Sequence, residues 1–219
     1  MINAVIFDLD GVLIDSEPLH AMADTQLLIE SGINIPQNYF DRFVGWTNKA
    51  MWEQIKKEFP LKQGYEELTK RQMILKLNLL KQINFEPVGG IPELLEALKM
   101  NHIPMAIASS SPRQFIEAEI DKIGIKQYFT CWISGEEVAQ SKPEPDIFLK
   151  AAELLKVNPP ECIVIEDSES GTVAAKRAGM TCIGYRNPNS GQQDLSKADL
   201  IIEVINKADI LPFFTRDEL

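Results

Sequence analysis

After residue 88, the chain contains short runs that are apolar at every position, and segments of helical character separate these runs. A strand with one face in water alternates apolar and polar residues, whereas a strand of a parallel sheet is covered by helices on both faces and stays apolar throughout. The pattern therefore predicts an α/β fold with a doubly wound parallel sheet. A further apolar run stands at the N-terminus. The predicted strands cover residues 4–6, 104–108, 131–133, 162–165, 181–184 and 200–202.

Residues 16–87 have a different character, since they show helical patterns and no convincing strand. Ser16 is well placed to cap the first helix of this region. Because the region separates the first strand from the rest of its sheet, we predict an inserted helical cap domain at residues 16–87. Residues 1–15 and 88–219 then form the α/β domain. The helices predicted within the insertion cover 16–32, 48–59 and 65–82.

The chain is acidic, with 22 Lys+Arg against 32 Asp+Glu among 219 residues. This balance argues against nucleic acid and anionic membranes as partners. No apolar run approaches the ~20 residues that span a bilayer, and no secretory signal precedes the first strand. Cys131, Cys162 and Cys182 lie far apart in apolar runs, which indicates buried thiols in a reducing compartment. We therefore expect a cytoplasmic protein. We also expect a monomer, although no residue pattern determines the oligomeric state.

Two carboxylates, Asp8 and Asp10, follow the first apolar run directly. Side chains of an extended segment alternate between its two faces, so both carboxylates are expected to point the same way. Like charges held together repel, and a bound cation or a shared proton offsets this repulsion. The pair therefore indicates a chemical site, although a strand that ends in a simple Asp-Gly turn at Gly11 is the ordinary alternative.

Other polar groups follow other predicted strands or precede helices. In a parallel sheet, the carboxyl ends of the strands meet at one edge, which is where such folds bind ligands. Each group has an ordinary explanation, as a helix cap or as a solvated surface lysine. Together, however, they supply the hard oxygen ligands that suit Mg2+, with an ammonium beside them. These groups are Ser109–111, Lys142, Glu166 and Asp167.

The order Asp8-x-Asp10, then Ser109, then Lys142, then Glu166-Asp167 resembles the four motifs of the haloacid dehalogenase (HAD) superfamily. The resemblance covers essentially the whole chain and points to the phosphatase and phosphomutase branch. It implies a HAD-like Rossmannoid core with an α-helical cap inserted after the first strand, which agrees with the pattern of elements.

The resemblance also implies catalytic roles. Asp8 is expected to be the nucleophile that attacks phosphorus, and Asp10 the general acid and base. Ser109 is expected to hydrogen-bond the transferring phosphoryl group, and Lys142 to neutralise its charge. The implied cofactor is Mg2+, and its expected ligands are Asp8, Asp10 (through its main-chain carbonyl), Glu166 and Asp167.

Substrate contacts are expected from the backbone amides of Leu9 and Ser110 and from the cap. His20 stands where β-phosphoglucomutase carries a histidine that positions its general acid, and a partly buried helix histidine is the alternative. Trp46 is either an apolar wall against the substrate or a core tryptophan. The expected substrate-binding residues are Leu9, Ser110, His20, Gly45, Trp46 and Lys49.

The cap residues bear on the choice between phosphatase and mutase. A mutase holds a bisphosphate by both ends, and its cap arginine corresponds here to Asn48, which cannot give a bidentate grip. Lys49 compensates only if it points inward, and a second mutase lysine corresponds to Gln72. We therefore predict a magnesium-dependent phosphatase that hydrolyses small phosphorylated metabolites, sugar phosphates first, through an aspartyl-phosphate. A β-phosphoglucomutase-like mutase and a non-catalytic binding protein on the same fold are the alternatives.

Overall fold

The computed structural model describes residues 2–36 and 38–214. Within these residues, six parallel strands form one sheet in the order β3-β2-β1-β4-β5-β6. The predicted parallel sheet is therefore confirmed. The strands are β1 (Ala4–Phe7), β2 (Met105–Ser109), β3 (Cys131–Ser134), β4 (Cys162–Glu166), β5 (Thr181–Tyr185) and β6 (Leu200–Ile202).

Helices connect the consecutive strands from β1 to β5, a loop connects β5 to β6, and the connection from β1 to β2 carries three additional helices. The described helices are α1 (Glu17–Glu30), α2 (Asn48–Glu58), α3 (Tyr65–Gln82), α4 (Ile91–Met100), α5 (Arg113–Lys122), α6 (Asp146–Leu155), α7 (Glu169–Arg177) and α8 (Lys207–Ile210). None of the helices in the described part of the chain is long and apolar enough to cross a membrane.

Strand β1 lies at the centre of the sheet, between β2 and β4. Phe7 is in register with Ile107 on one side and Ile165 on the other. The strand order reverses direction at this point, which opens a crevice beyond the carboxyl end of β1. The next residue, Asp8, therefore enters the crevice, and its backbone N–H is still held by Ile165 O at 2.9 Å.

The two faces of the sheet bury separate apolar clusters. Val5 and Phe7 face one cluster, and Ala4 and Ile6 face the other, as strand alternation requires. Helices α4, α5 and α8 contribute side chains to the first cluster, and α6 and α7 to the second. Covered on both sides, the sheet holds the residues at its carboxyl edge in fixed positions.

We call residues 17–82, which contain α1, α2 and α3, the cap segment. It has its own apolar cluster around the fully buried Trp52. The chain enters and leaves the segment side by side, since Val88 N donates to Leu13 O at 3.0 Å and Ile14 forms a bridge with Pro87. Insertion of a helical segment after β1 therefore leaves the sheet itself intact.

Two local features differ from the prediction. Helix α1 ends at Glu30 rather than at residue 32, because the chain turns at Ser31 and Gly32, where Gly32 has φ 78°. Cys131 is half-buried rather than buried because it opens β3, which is the edge strand. All three cysteines are free thiols.

Candidate active site

Lys142 lies at the centre of the site, where its Nζ donates to two acids and a carbonyl. It is 2.5 Å from Asp8 Oδ1, 2.5 Å from Glu166 Oε1 and 3.1 Å from Ala108 O. The lysine side chain is 1% exposed. Three strand ends, those of β1, β2 and β4, are therefore tied together by one ammonium group.

The site contains more carboxyl groups than the single ammonium group of Lys142 can neutralise. Burial raises the pKa of Asp8 well above its usual value, and although Lys142 opposes this shift, Glu166 and Asp167 add to it. Burial would lower the pKa of Lys142, but Asp8 and Glu166 outweigh it and raise that pKa. The lysine is therefore a fixed ammonium, and the surplus negative charge favours a second cation at this place.

Carboxylate oxygens of Asp8, Glu166 and Asp167 lie within 4.8 Å of one another and could hold a metal ion. Glu166, however, already uses both of its oxygens inside the protein. Its Oε1 accepts from Lys142, and its Oε2 accepts from Ser168 N and Ser168 Oγ, both at 2.9 Å. Asp8 and Asp167 each accept a single side-chain hydrogen bond from the described residues, so their carboxylates keep lone pairs for an ion, and such hard oxygen donors fit Mg2+.

Asp167 is supported by the loop after β5. Ser190 Oγ donates to Asp167 Oδ2, and this bond opposes the rise in the pKa of Asp167 that burial and the Glu166 charge cause. Gly11 approaches the same carboxylate with φ 82°, and a side chain there would collide with Asp167. Asn187 Nδ2 donates to Gly11 O at 2.9 Å and so fixes this turn.

Asp10 is held by four side chains. Its Oδ1 accepts from Ser16 Oγ at 2.6 Å and lies 2.6 Å from His20 Nε2. Its Oδ2 accepts from Ser109 Oγ at 3.0 Å and from Ser111 Oγ at 2.8 Å. Burial would raise the pKa of Asp10, but His20, Ser16 and Ser111 outweigh it and hold that pKa well below its usual range. Ser16 thus binds Asp10 and makes no side-chain cap on α1.

Behind this carboxylate lies a second buried acid, Glu119 of α5. Donor atoms of Asp10, His20 and Glu119 lie within 4.8 Å of one another. Among the described residues, neither oxygen of Glu119 nor Nδ1 of His20 has a hydrogen-bond partner. Burial and the charge of Asp10 raise the pKa of Glu119 well above its usual value, so this acid favours its neutral form.

The sequence analysis did not select Glu119, although the helix pattern places this acid among apolar residues. The buried residues of α5 are Phe115, Ile116, Glu119 and Ile120, so the acid stands on the apolar face of the helix. An acid at such a position rarely stays fully buried without a specific neighbour. The neighbour here is the pair formed by Asp10 and His20.

We expect His20→Asn to lower kcat about 100-fold, because Asp10 loses the ring that orients it and shares its proton. Phosphate release measured over a range of substrate concentrations tests this. His102→Asn is the matched control, because His102 is the other histidine and lies in the turn before β2, at the opposite end of the sheet. Equal activity in both variants would exclude a role for His20.

A cavity of about 80 Å³ lies between the sheet edge and the cap segment. It brings together many of the predicted residues. Lining the cavity are Asp8, Asp10, His20, Gly45, Trp46, Ser110 and Asp167. Outside its wall are Leu9, Lys49, Ser109, Lys142 and Glu166. Of these, Ser109 binds Asp10, Lys142 binds Asp8, and Glu166 binds Lys142.

On the cap side of the cavity, one of the predicted substrate-binding residues, Lys49, does not line the wall. Trp46 is 42% exposed on the cavity wall, so it is not a core tryptophan. Lys49 is exposed and does not line the cavity, since it is one step around α2 from Asn48, which does. Gln72 is fully buried, and the cavity instead receives Lys76 from the next turn of α3.

Hydrogen bonds close the cap segment onto the sheet edge. Gly45 O accepts from Ser110 Oγ at 2.8 Å and from Ser170 Oγ at 3.4 Å. Gln193 Nε2 donates to Asp41 O at 3.1 Å. In each of these bonds, a side chain from outside the cap segment donates to a backbone carbonyl of the cap segment.

Residues 5–185 match the family of haloacid dehalogenase-like hydrolases. The chain belongs to this family. It is 32% identical over 178 residues to a phosphorylated carbohydrates phosphatase of Thermotoga maritima, a match that covers 81% of this chain and 82% of that protein. It is also 32% identical over 206 residues to the β-phosphoglucomutase of Bacillus subtilis, covering 91% of this chain and 88% of the relative.

A solved structure of a related enzyme has the same fold as this hydrolase. The crystal structure of β-phosphoglucomutase from Clostridium difficile superposes with a TM-score of 0.86 and 28% identity, covering 98% of this chain and 97% of the other. The predicted family, the predicted fold class and the prediction of an enzyme, a HAD-family phosphatase, are thereby confirmed.

Proposed function

We propose that this hydrolase is a magnesium-dependent phosphatase that releases phosphate from small phosphorylated sugars through an aspartyl-phosphate on Asp8. The observation that carries the proposal is the position of Lys142, which binds Glu166 and Asp8 at once, so that a buried ammonium lies directly behind a carboxylate that lines the cavity. The name of the Thermotoga maritima relative supports the substrate class.

Asp8 is arranged to attack with one particular oxygen. Its Oδ1 is bound by Lys142, and among the described residues no donor binds its Oδ2. The carboxylate lines the cavity, so Oδ2 can reach a phosphorus atom placed there. Because Lys142 is bound to Asp8, its ammonium would lie near a phosphoryl group attacked by that residue and would stabilise the negative charge of the transition state.

Asp10 is placed to move the protons. The His20 ring lies 2.6 Å from its Oδ1, so the two groups can share one proton. In the first step this proton passes to the oxygen of the leaving alcohol, and in the second Asp10 takes a proton from the attacking water. Ser109 and Ser111 hold Oδ2 and so fix the direction of the carboxyl group.

The acidic cluster fits a magnesium ion. Asp8 and Asp167 would hold it together with the main-chain carbonyl of Asp10, whereas Glu166 positions Lys142 and Ser168. The bound ion would offset the charge of the cluster, so that an anionic phosphate ester can approach it. Ser190 keeps Asp167 oriented for this task.

The charges around the cavity favour hydrolysis over mutase activity. The cap segment presents Glu17, Asp24 and Asp41 to the cavity, and its one lysine there is Lys76 among the described residues. A mutase must bind a second phosphate at this side, where acids repel it. Hydrolysis needs only the organic part of a monophosphate to fit.

A product assay tests this function. We expect phosphate release from sugar phosphates in the presence of Mg2+, loss of that release with a chelator and its return when Mg2+ is restored. With β-glucose 1-phosphate and a trace of the 1,6-bisphosphate, phosphate release should exceed formation of glucose 6-phosphate. The reverse order would make the protein a mutase, and no turnover of any phosphate ester would make it a binding protein.

We further propose that residues 16–87 act as a cap domain that opens to admit substrate. The separate apolar cluster around Trp52 supports this, because the segment can move without unpacking itself. Hydrogen bonds at Gly45 and Asp41 and the contact of His20 with Asp10 join it to the sheet edge, and Leu19 and Leu80 pack into the apolar cluster of the sheet. Opening must break these contacts. Closure would exclude bulk water from Asp8.

A further inference from the structure

The cap segment contains a chain of buried polar groups that leads to the cavity. Trp52 Nε1 donates to Gln72 Oε1 at 3.1 Å, and Gln72 Nε2 donates to Asp24 Oδ1 at 2.6 Å. Asp24 Oδ2 then faces Lys76 Nζ at 3.9 Å. Trp52 and Gln72 are fully buried, Asp24 is 3% exposed and Lys76 is 5% exposed. The last two residues line the cavity.

The contacts leave hydrogen-bonding capacity at the cavity end of this chain. A distance of 3.9 Å is too long for a hydrogen bond between Asp24 and Lys76. The other contact of Lys76, with Asn48 Oδ1, is 3.5 Å long and therefore weak. An acceptor on Asp24 and donors on Lys76 thus stand side by side, each able to take a better partner.

We propose that Asp24, Asn48 and Lys76 form a subsite for hydroxyl groups of the substrate, and that Asp24 makes the enzyme reject compounds with a second phosphate. This proposal rests on the phosphatase function proposed above. A hydroxyl group both donates and accepts, so it can donate to Asp24 Oδ2 and accept from Lys76 in one position. A sugar or polyol monophosphate therefore satisfies both groups.

A second phosphate cannot do the same. Its oxygens accept hydrogen bonds and carry charge, so they pair with Lys76 but are repelled by the Asp24 carboxylate in a site with little water. An apolar group is also disfavoured, because it leaves two buried polar groups without good partners. Asp24 thus supplies the repulsive element that specificity requires.

Asp24→Asn tests the proposal with little change in shape, because the new amide oxygen can still accept from Gln72. We expect the ratio of kcat/KM for glucose 6-phosphate to that for glucose 1,6-bisphosphate to fall about tenfold, chiefly through KM. Lys76→Met is the second variant, and it should shift the ratio the other way. Thermal unfolding of each variant verifies that it folds.

Glu67→Gln is the matched control, since Glu67 is an exposed acid on α3 and the substitution changes the net charge equally. Its ratio should equal that of the wild type. An unchanged ratio in folded Asp24→Asn, or a shift in Glu67→Gln as large as in Asp24→Asn, would overturn the subsite. Failure of the wild type to hydrolyse either compound would instead overturn the phosphatase function, so the two failures are distinguishable.

Discussion

Asp8→Asn is expected to abolish phosphate release, by at least about 10^4-fold in kcat, while the protein stays folded. An amide cannot attack phosphorus as a carboxylate does, and no other described acid lines the cavity with an oxygen so close to Lys142. The substitution also removes one charge from a crowded acidic cluster. Its unfolding midpoint in metal-free buffer should therefore be no lower than that of the wild type.

The measurement pairs turnover with detection of the covalent intermediate. Borohydride reduction of the wild type during turnover should modify Asp8, as mass spectrometry of the digested protein would show. The Asp8→Asn variant should show no such modification. Asp121→Asn, which changes an exposed aspartate on α5, is the charge-matched control and should retain activity. Phosphate release that persists in Asp8→Asn would exclude the covalent route.

Lys142→Met is expected to lower the free energy of unfolding by about 3–5 kcal/mol, because it leaves buried acids without their ammonium. Activity should also be lost in whatever fraction folds. Lys150→Met is the control, because Lys150 forms an exposed ion pair with Glu153 at 2.8 Å and its side chain is 46% exposed. Such pairs contribute at most about 1 kcal/mol.

Denaturant titration of four proteins tests the prediction for Lys142. These are the wild type, Lys142→Met, Asp8→Asn and the double variant. Because Asp8 and Lys142 are in contact, the double variant should lose less stability than the two single changes combined. If Lys142→Met unfolded at the same denaturant concentration as Lys150→Met, the lysine would not hold the strand ends together.

Much of the candidate active site could be predicted from the sequence, because the topology of the fold determines where these residues lie. Asp8, Lys142 and Asp167 come after strands or before a helix of a parallel sheet, so the topology alone brings them to one edge. Ser16 shows a limit of prediction from local sequence, since it fits the pattern of a helix cap but its hydroxyl donates to Asp10 instead. A rule based on neighbouring residues does not include contacts that form only when the chain folds.

The cap side was less predictable, since it depends on how each helix is rotated about its axis. Neighbouring residues of a helix point about 100° apart, so Asn48 lines the cavity while Lys49 does not. Lys76 rather than Gln72 reaches the cavity because it stands one turn further along the same face of α3. Ser190 and Asn187 support the site from a loop with no motif of its own, and only the three-dimensional structure reveals them.

The hydrogen bonds at Gly45 have a consequence for how this enzyme can change. Ser110 and Ser170 donate to a backbone carbonyl, which every amino acid has. These hydrogen bonds therefore do not depend on the identity of the neighbouring side chains. Neighbouring positions such as Trp46 and Asn48 can therefore be substituted, during evolution or in a library, without loss of these two hydrogen bonds. The side chains that line the cavity can thus change independently of the hydrogen bonds that join the cap segment to the sheet edge.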